Sequence, residues 1–95
     1  MVYEYAKLTI APGREAEFEA AFAEALAIFE QAHGCEGAEL ERCVESGSYQ
    51  LVVAWETLED HTVGFRQSPL FDQWRGLVGE FFAAPPEVLH YAPVR

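Results

Sequence analysis

Few side chains in this sequence can move a proton at neutral pH. His61 is the first of them. It stands at helical spacing with Leu58 and Phe65, so the three are expected on one inward face. An imidazole there, beside aromatic rings, is a candidate base or hydrogen-bond partner for a phenolic ligand, because its unperturbed pKa lies near neutrality. The bland alternative is a buried histidine satisfied by backbone groups. Trp55 ends the preceding strand and could stack on an aromatic ligand, or simply fill the core. Phe65, Phe81 and Phe82 could wall a dry pocket, and Arg66 could pair with a ligand anion. His90 lies on a late strand whose inward face the pattern leaves open. His33, Cys35 and Cys43 match no common zinc spacing and lack an evident fourth ligand, so no metal site is predicted. There is no Gly-rich phosphate loop and no nucleophile elbow.

The elements that must position these residues follow from periodicity. Residues 2–10 read as a strand with Val2, Ala6, Leu8 and Ile10 on one face, interrupted by Glu4. Tyr3, Tyr5, Lys7 and Thr9 take the other. Ala11-Pro12-Gly13 is a turn. Residues 14–33 read as an amphipathic helix with Phe18, Phe22, Ala25, Leu26 and Phe29 as its buried stripe. Its acids crowd the N-terminal half, where the helix dipole favours them, and Gly34 supplies the stop. Residues 36–45 and 49–56 are strands joined through Ser46-Gly47-Ser48, as a hairpin. On the first of them Ala38, Leu40, Arg42 and Val44 share a face. Thr57 and Asp60 form a capping-box pair opening a helix, and Ser68-Pro69 restarts it. Phe71, Trp74, Leu77, Val78, Phe81 and Phe82 continue the apolar stripe. Residues 87–94 form a last short strand, with Pro93 suited to its end.

This order, βαββαβ, is the ferredoxin-like α+β pattern, in one domain over residues 1–95. Both helices pack on one face of a four-stranded antiparallel sheet. The other face, with Tyr3, Tyr5, Val52 and Ala54, is left uncovered. Two sheets packed face to face would cover it, so a homodimer is expected.

Composition narrows the function. The chain has 95 residues and net charge −10, with 16 acids against six bases. Phosphate repels such a surface, which argues against nucleic acid and anionic membranes. No apolar run approaches the ~20 residues of a spanning helix. The first residues, Met-Val-Tyr-Glu-Tyr, lack the basic start and apolar run of a signal peptide, so a cytoplasmic location and two free thiols are expected.

The segment Ala11-Pro12-Gly13-Arg14-Glu15-Ala16-Glu17-Phe18, the pair Trp55-Glu56, the run Ser68-Pro69-Leu70-Phe71 and the closing Val88-Leu89-His90-Tyr91 resemble the antibiotic biosynthesis monooxygenase family. The resemblance spans nearly the whole chain. It implies a dimeric α+β barrel with a pocket between sheet and helices in each subunit. Activities that the resemblance brings with it include cofactor-independent oxidation of polyketide- or quinol-type phenols and haem degradation. The haem-degrading branch uses asparagine on the first strand, tryptophan three residues before the helix serine and histidine seven after it. Those positions here are Ala6, Phe65 and Arg75, which disfavours that branch. Many other members carry histidine where this chain has Phe65, and His61 sits one turn earlier. Two readings remain: a small oxygenase needing no cofactor, with His61 as base, or a non-catalytic binding or stress-related dimer. A void lined by His61 would favour the first, and a solid aromatic core the second.

Overall fold

A computed structural model describes residues 1–95. Its strands are β1 (Val2–Leu8), β2 (Cys35–Arg42), β3 (Tyr49–Trp55) and β4 (Glu87–Tyr91), and its α-helices are α1 (Glu15–Gln31) and α2 (Pro69–Val78). The sheet is antiparallel with strand order β2-β3-β1-β4. This is the ferredoxin-like α+β fold.

Register decides which residues share a face. Residues directly opposite in an antiparallel pair point to the same side. Glu4 lies opposite Val53 on β3 and His90 on β4, and Ala6 lies opposite Leu51 and Val88. These rows face the helices. Tyr3 lies opposite Ala54 and Tyr91, and Tyr5 opposite Val52 and Leu89. Those rows face away. His90, whose face the sequence left open, is therefore on the helix side with Glu4.

The core forms where α1 crosses the sheet. Phe18, Phe22, Ala25, Ile28 and Phe29 are its buried residues. Each large side chain so buried contributes roughly 1.5–3 kcal/mol through lost water contact. Ile28 replaces Leu26 in the expected stripe, and Leu26 stays exposed. Leu26 and Ile28 flank the stripe of Phe18, Phe22, Ala25 and Phe29 on opposite sides, and burial falls on the Ile28 side. Strand β2 stops at Arg42, two residues before the expected Val44, which is 93% exposed in the turn. The turn takes its positive φ (73°) at Gly47, where a side chain would be strained.

The segment after β3 departs most from expectation. The Thr57–Asp60 capping box forms: the Asp60 amide donates to Thr57 Oγ1 at 3.1 Å, and the Thr57 amide to Asp60 Oδ2 at 3.2 Å. From Asp60 to Phe65, however, the backbone winds as a π turn, closed by the Arg66 amide donating to the His61 carbonyl at 3.1 Å. The wider winding keeps His61 and Phe65 buried but turns Leu58 outward, 41% exposed. The apolar stripe expected through Leu58 is thus corrected to His61 and Phe65 alone.

Candidate functional site

Between the helix side of the sheet and the roof formed by the π turn and α2 lies a cavity of about 680 Å³. That is within the range of small-molecule sites. Ala6, Leu8, Leu51 and Val88 form its sheet wall, and Phe65, Phe71 and Trp74 its aromatic roof. Exposed residues from Ala83 to Pro86 form part of its rim. Glu4 and His61 line it as well, and they are the two buried polar or charged residues of the protein.

These two belong to a chain of polar contacts. Trp55 Nε1 donates to Glu4 Oε1 at 3.1 Å. His61 Nε2 lies 3.3 Å from that same oxygen, and His61 Nδ1 lies 2.7 Å from His90 Nε2. The Trp55 and His61 rings stack with centroids 5.2 Å apart and planes at 15°. Each part has a local cause. Glu4 occupies an inward position of central strand β1, the capping box and π turn aim His61 down at it, and register brings His90 alongside. The contacts run in a line, not toward one point. No three His, Cys, Asp or Glu side chains gather as a metal site.

Electrostatics sharpen the arrangement. Burial pushes the Glu4 carboxyl up to about 7, opposed by the Trp55 hydrogen bond and the Arg66 charge. Burial likewise drives the His61 imidazole down to about 4, helped by Arg66 and then His90. His90 is lowered by burial and by Arg66. The Glu4–His61 contact has the distance of an ion pair, but burial disfavours both charges. It is better described as a neutral hydrogen-bonded pair that loses one proton near pH 7.

That loss has a consequence along the chain. A protonated Glu4 can donate to His61 Nε2, while His61 Nδ1–H donates to His90 Nε2. With Glu4 ionised the donors reverse: His61 Nε2–H donates to the carboxylate, and His90 Nε2–H to His61 Nδ1. A proton gained at Glu4 can therefore leave at the half-buried His90 without any ring moving.

The residues expected at the site are distributed unevenly. His61, Phe65, Arg66 and Phe82 line the cavity. His90 reaches it through His61. Trp55 is fully buried behind the His61 ring and is no wall residue. Phe81 turns into the core, with the Arg14 guanidinium over its ring, so the pair Phe81–Phe82 contributes one ring only. Sequence reading missed Glu4, Trp74 and Arg75. Glu4 had a visible signal, a carboxylate interrupting the inward face of a strand.

A ferredoxin-like sheet with a cavity roofed by its second helical segment places the protein among small α+β folds with a pocket between sheet and helices. The chain belongs to the antibiotic biosynthesis monooxygenase family: residues 1–77 match the family profile. It is similar to an uncharacterized protein, YczJ, of Bacillus subtilis (strain 168), 43% identical over 95 residues, covering 99% of this chain and all of the other. It is also similar to a candidate antibiotic biosynthesis monooxygenase of Bordetella bronchiseptica of known crystal structure. That one is 49% identical with a TM-score of 0.96, over 99% of this chain and 97% of the other. SnoaB, a cofactor-independent oxygenase from Streptomyces nogalater, shares the fold at 21% identity and a TM-score of 0.81, over 99% and 93% of the two chains.

Proposed function

We propose that this protein is an oxygenase that uses no cofactor and oxidises an electron-rich phenol or anthrone-type ligand. The observation that carries this reading is a cavity with aromatic walls and the Glu4–His61–His90 chain in its polar end. The ligand itself supplies the electrons. Once ionised, it passes one electron to O2, and the resulting radical pair forms a C–O bond. Loss of water from the hydroperoxide then leaves a carbonyl, so a ring methylene and O2 become a ketone and water. One oxygen atom enters the product and the other leaves in water with both methylene hydrogens. The protein's tasks are to exclude bulk water, hold the ring, and take and return one proton.

His61 is the centre of that proton path. Both its ring nitrogens have partners, so the ligand's proton arrives through Glu4 and moves on through His61 to His90. We also infer a homodimer through the uncovered sheet face, in the cytoplasm. Tyr5 and Tyr91 meet edge to face there at 5.1 Å, and Leu89 is 61% exposed. That much apolar surface on a strongly acidic chain favours burial against a second copy.

Oxygen uptake over a panel of anthrones and naphthohydroquinones tests the reading. The wild type should turn over at least one of them, and His61→Gln, which keeps hydrogen bonds but relays no proton, should lose about 10²–10⁴-fold. An inert wild type across the panel would leave a ligand-binding protein without catalysis. An equally active His61→Gln would remove the relay from the mechanism.

A further inference from the structure

The chain carries five arginines and one lysine against 16 acids. With that excess, the arginines that lack an acidic partner are informative by where they lie. Arg14 meets Glu17 at 2.9 Å and Glu80 at 3.5 Å, and Arg42 is paired with Glu19. Arg66, Arg75 and Arg95 form no salt bridge, and of these Arg66 and Arg75 line the cavity, both as solvent-exposed residues. Glu4 is the one acid in its wall, and it is buried among the relay groups. The surface as a whole repels anions, while the solvent-exposed edge of the cavity presents two free guanidinium groups. Fixed charges of one sign around a low-dielectric cleft concentrate the opposite charge there.

The two arginines are held by different elements. Arg66 directly follows the π turn, and its charge reaches the relay, lowering Glu4, His61 and His90 alike. Arg75 is on α2, with its guanidinium 5.9 Å from the centre of the Phe71 ring, itself a cavity wall. An aromatic face therefore lies beside a cation without a counter-ion.

We propose that the natural ligand is a flat aromatic acid, whose carboxylate is held by Arg66 and Arg75 while its ring enters the aromatic part of the cavity. This rests on the proposed function only in that the site takes a small aromatic molecule. A carboxylate suits these groups because a planar guanidinium meets it with two parallel N–H donors. A phosphate would want a cradle of backbone N–H groups, and the sequence has no Gly-rich loop to supply one. Arg66 serves twice in this scheme: its charge also favours the anion that forms when the ligand loses its proton to Glu4.

Binding can be measured without turnover. 3-Hydroxy-2-naphthoate and its methyl ester differ in one charge and share a ring system, and calorimetry under nitrogen removes oxidation from the readout. The acid should bind at least about tenfold more tightly than the ester, and the difference should shrink as salt is added. Arg66→Gln and Arg75→Gln should each weaken the acid by about three- to tenfold and leave the ester unchanged, and Arg95→Gln, outside the cavity, should change neither. Equal affinity of acid and ester, no binding of either, or indifference to both arginine substitutions would overturn the proposal. Acid binding with no oxidation of any phenol would sink the oxygenase reading and leave this one standing. Turnover of neutral phenols with no preference for acids would do the reverse.

Discussion

The two faces of β1 differ by a shift of one residue and do opposite things. On the helix side, Glu4 sits 3.3 Å from His61 as the single acid of the cavity wall. On the other side, Tyr3 and Tyr5 join Val52, Ala54, Leu89 and Tyr91 in a surface that covers nothing within the chain. One strand thus contributes to the polar contacts of the cavity from its even positions and to the uncovered surface from its odd ones, the two places where the proposed proton path and the proposed dimer contact lie. The alternation of a strand, with period two, is enough to keep the two roles apart. Side chains of one role never compete with the other for space. Both depend on the same backbone hydrogen bonds.

Substitutions on one face should therefore spare the other. The largest effect is expected at Glu4. Glu4→Gln keeps an acceptor for Trp55 but holds no proton in transit, so oxidation should fall by about 10²–10⁴-fold in oxygen uptake. Its stability should move the other way. A carboxyl raised from 4.5 to about 7 in the fold contributes stability below pH 4.5, which is lost as pH rises toward about 7. The neutral amide escapes that loss, so the variant should melt no lower than wild type at pH 8. A large drop in melting temperature there would mean that Glu4 is structural.

The open face should give the next largest effect. Tyr5→Asp adds a charge to the centre of the apolar rows and should convert the proposed dimer to a 10.7 kDa monomer in light scattering. Ligand binding should survive, because the cavity walls lie on the opposite side of β1. A wild type already monomeric at micromolar concentration would cancel the dimer, and a Tyr5→Asp monomer without a working cavity would show that the faces are coupled.

The smallest effect sharpens the comparison within the helix face. Arg66 favours the ionised form of Glu4, so Arg66→Gln should raise that carboxyl further. The rising acidic limb of the pH–rate profile, expected near pH 7, should then move to higher pH by about half a unit to one unit. A limb that stays in place would show that some other group sets it.

How much of this could be read from residues alone depended on periodicity. Strands of period two and helices of period 3.6 gave the fold, the inward row of β1 and the outward tyrosines. The π turn is invisible there because its wider winding has no signature in an apolar stripe, and helical spacing alone puts Leu58 inward for that reason. Glu4 is legible only as an interruption, since a lone acid on a core face has no visible partner until His61 and Trp55 are brought to it. His90 needed register, which a five-residue strand does not reveal. The arginines could be counted in the sequence, but only the paired carboxylates elsewhere show which of them are free.

Gly34 gives the site a remote vulnerability. It lies at the end of α1 with φ of 79°, and a Cβ added there would fall 2.1 Å from Asp60 Oδ2 and 2.8 Å from Asp60 Cβ. The Gly34 carbonyl also accepts from the Glu56 amide at 2.8 Å, at the exit of β3. The first helix, the third strand and the start of the π turn are therefore clamped at a point where no side chain fits. Even a single methyl group at residue 34 must push Asp60 out of its capping box and release the turn that aims His61. A genetic screen for loss of the proposed oxidation should find this glycine among its hits, although it touches neither the cavity nor the Glu4–His61–His90 contacts.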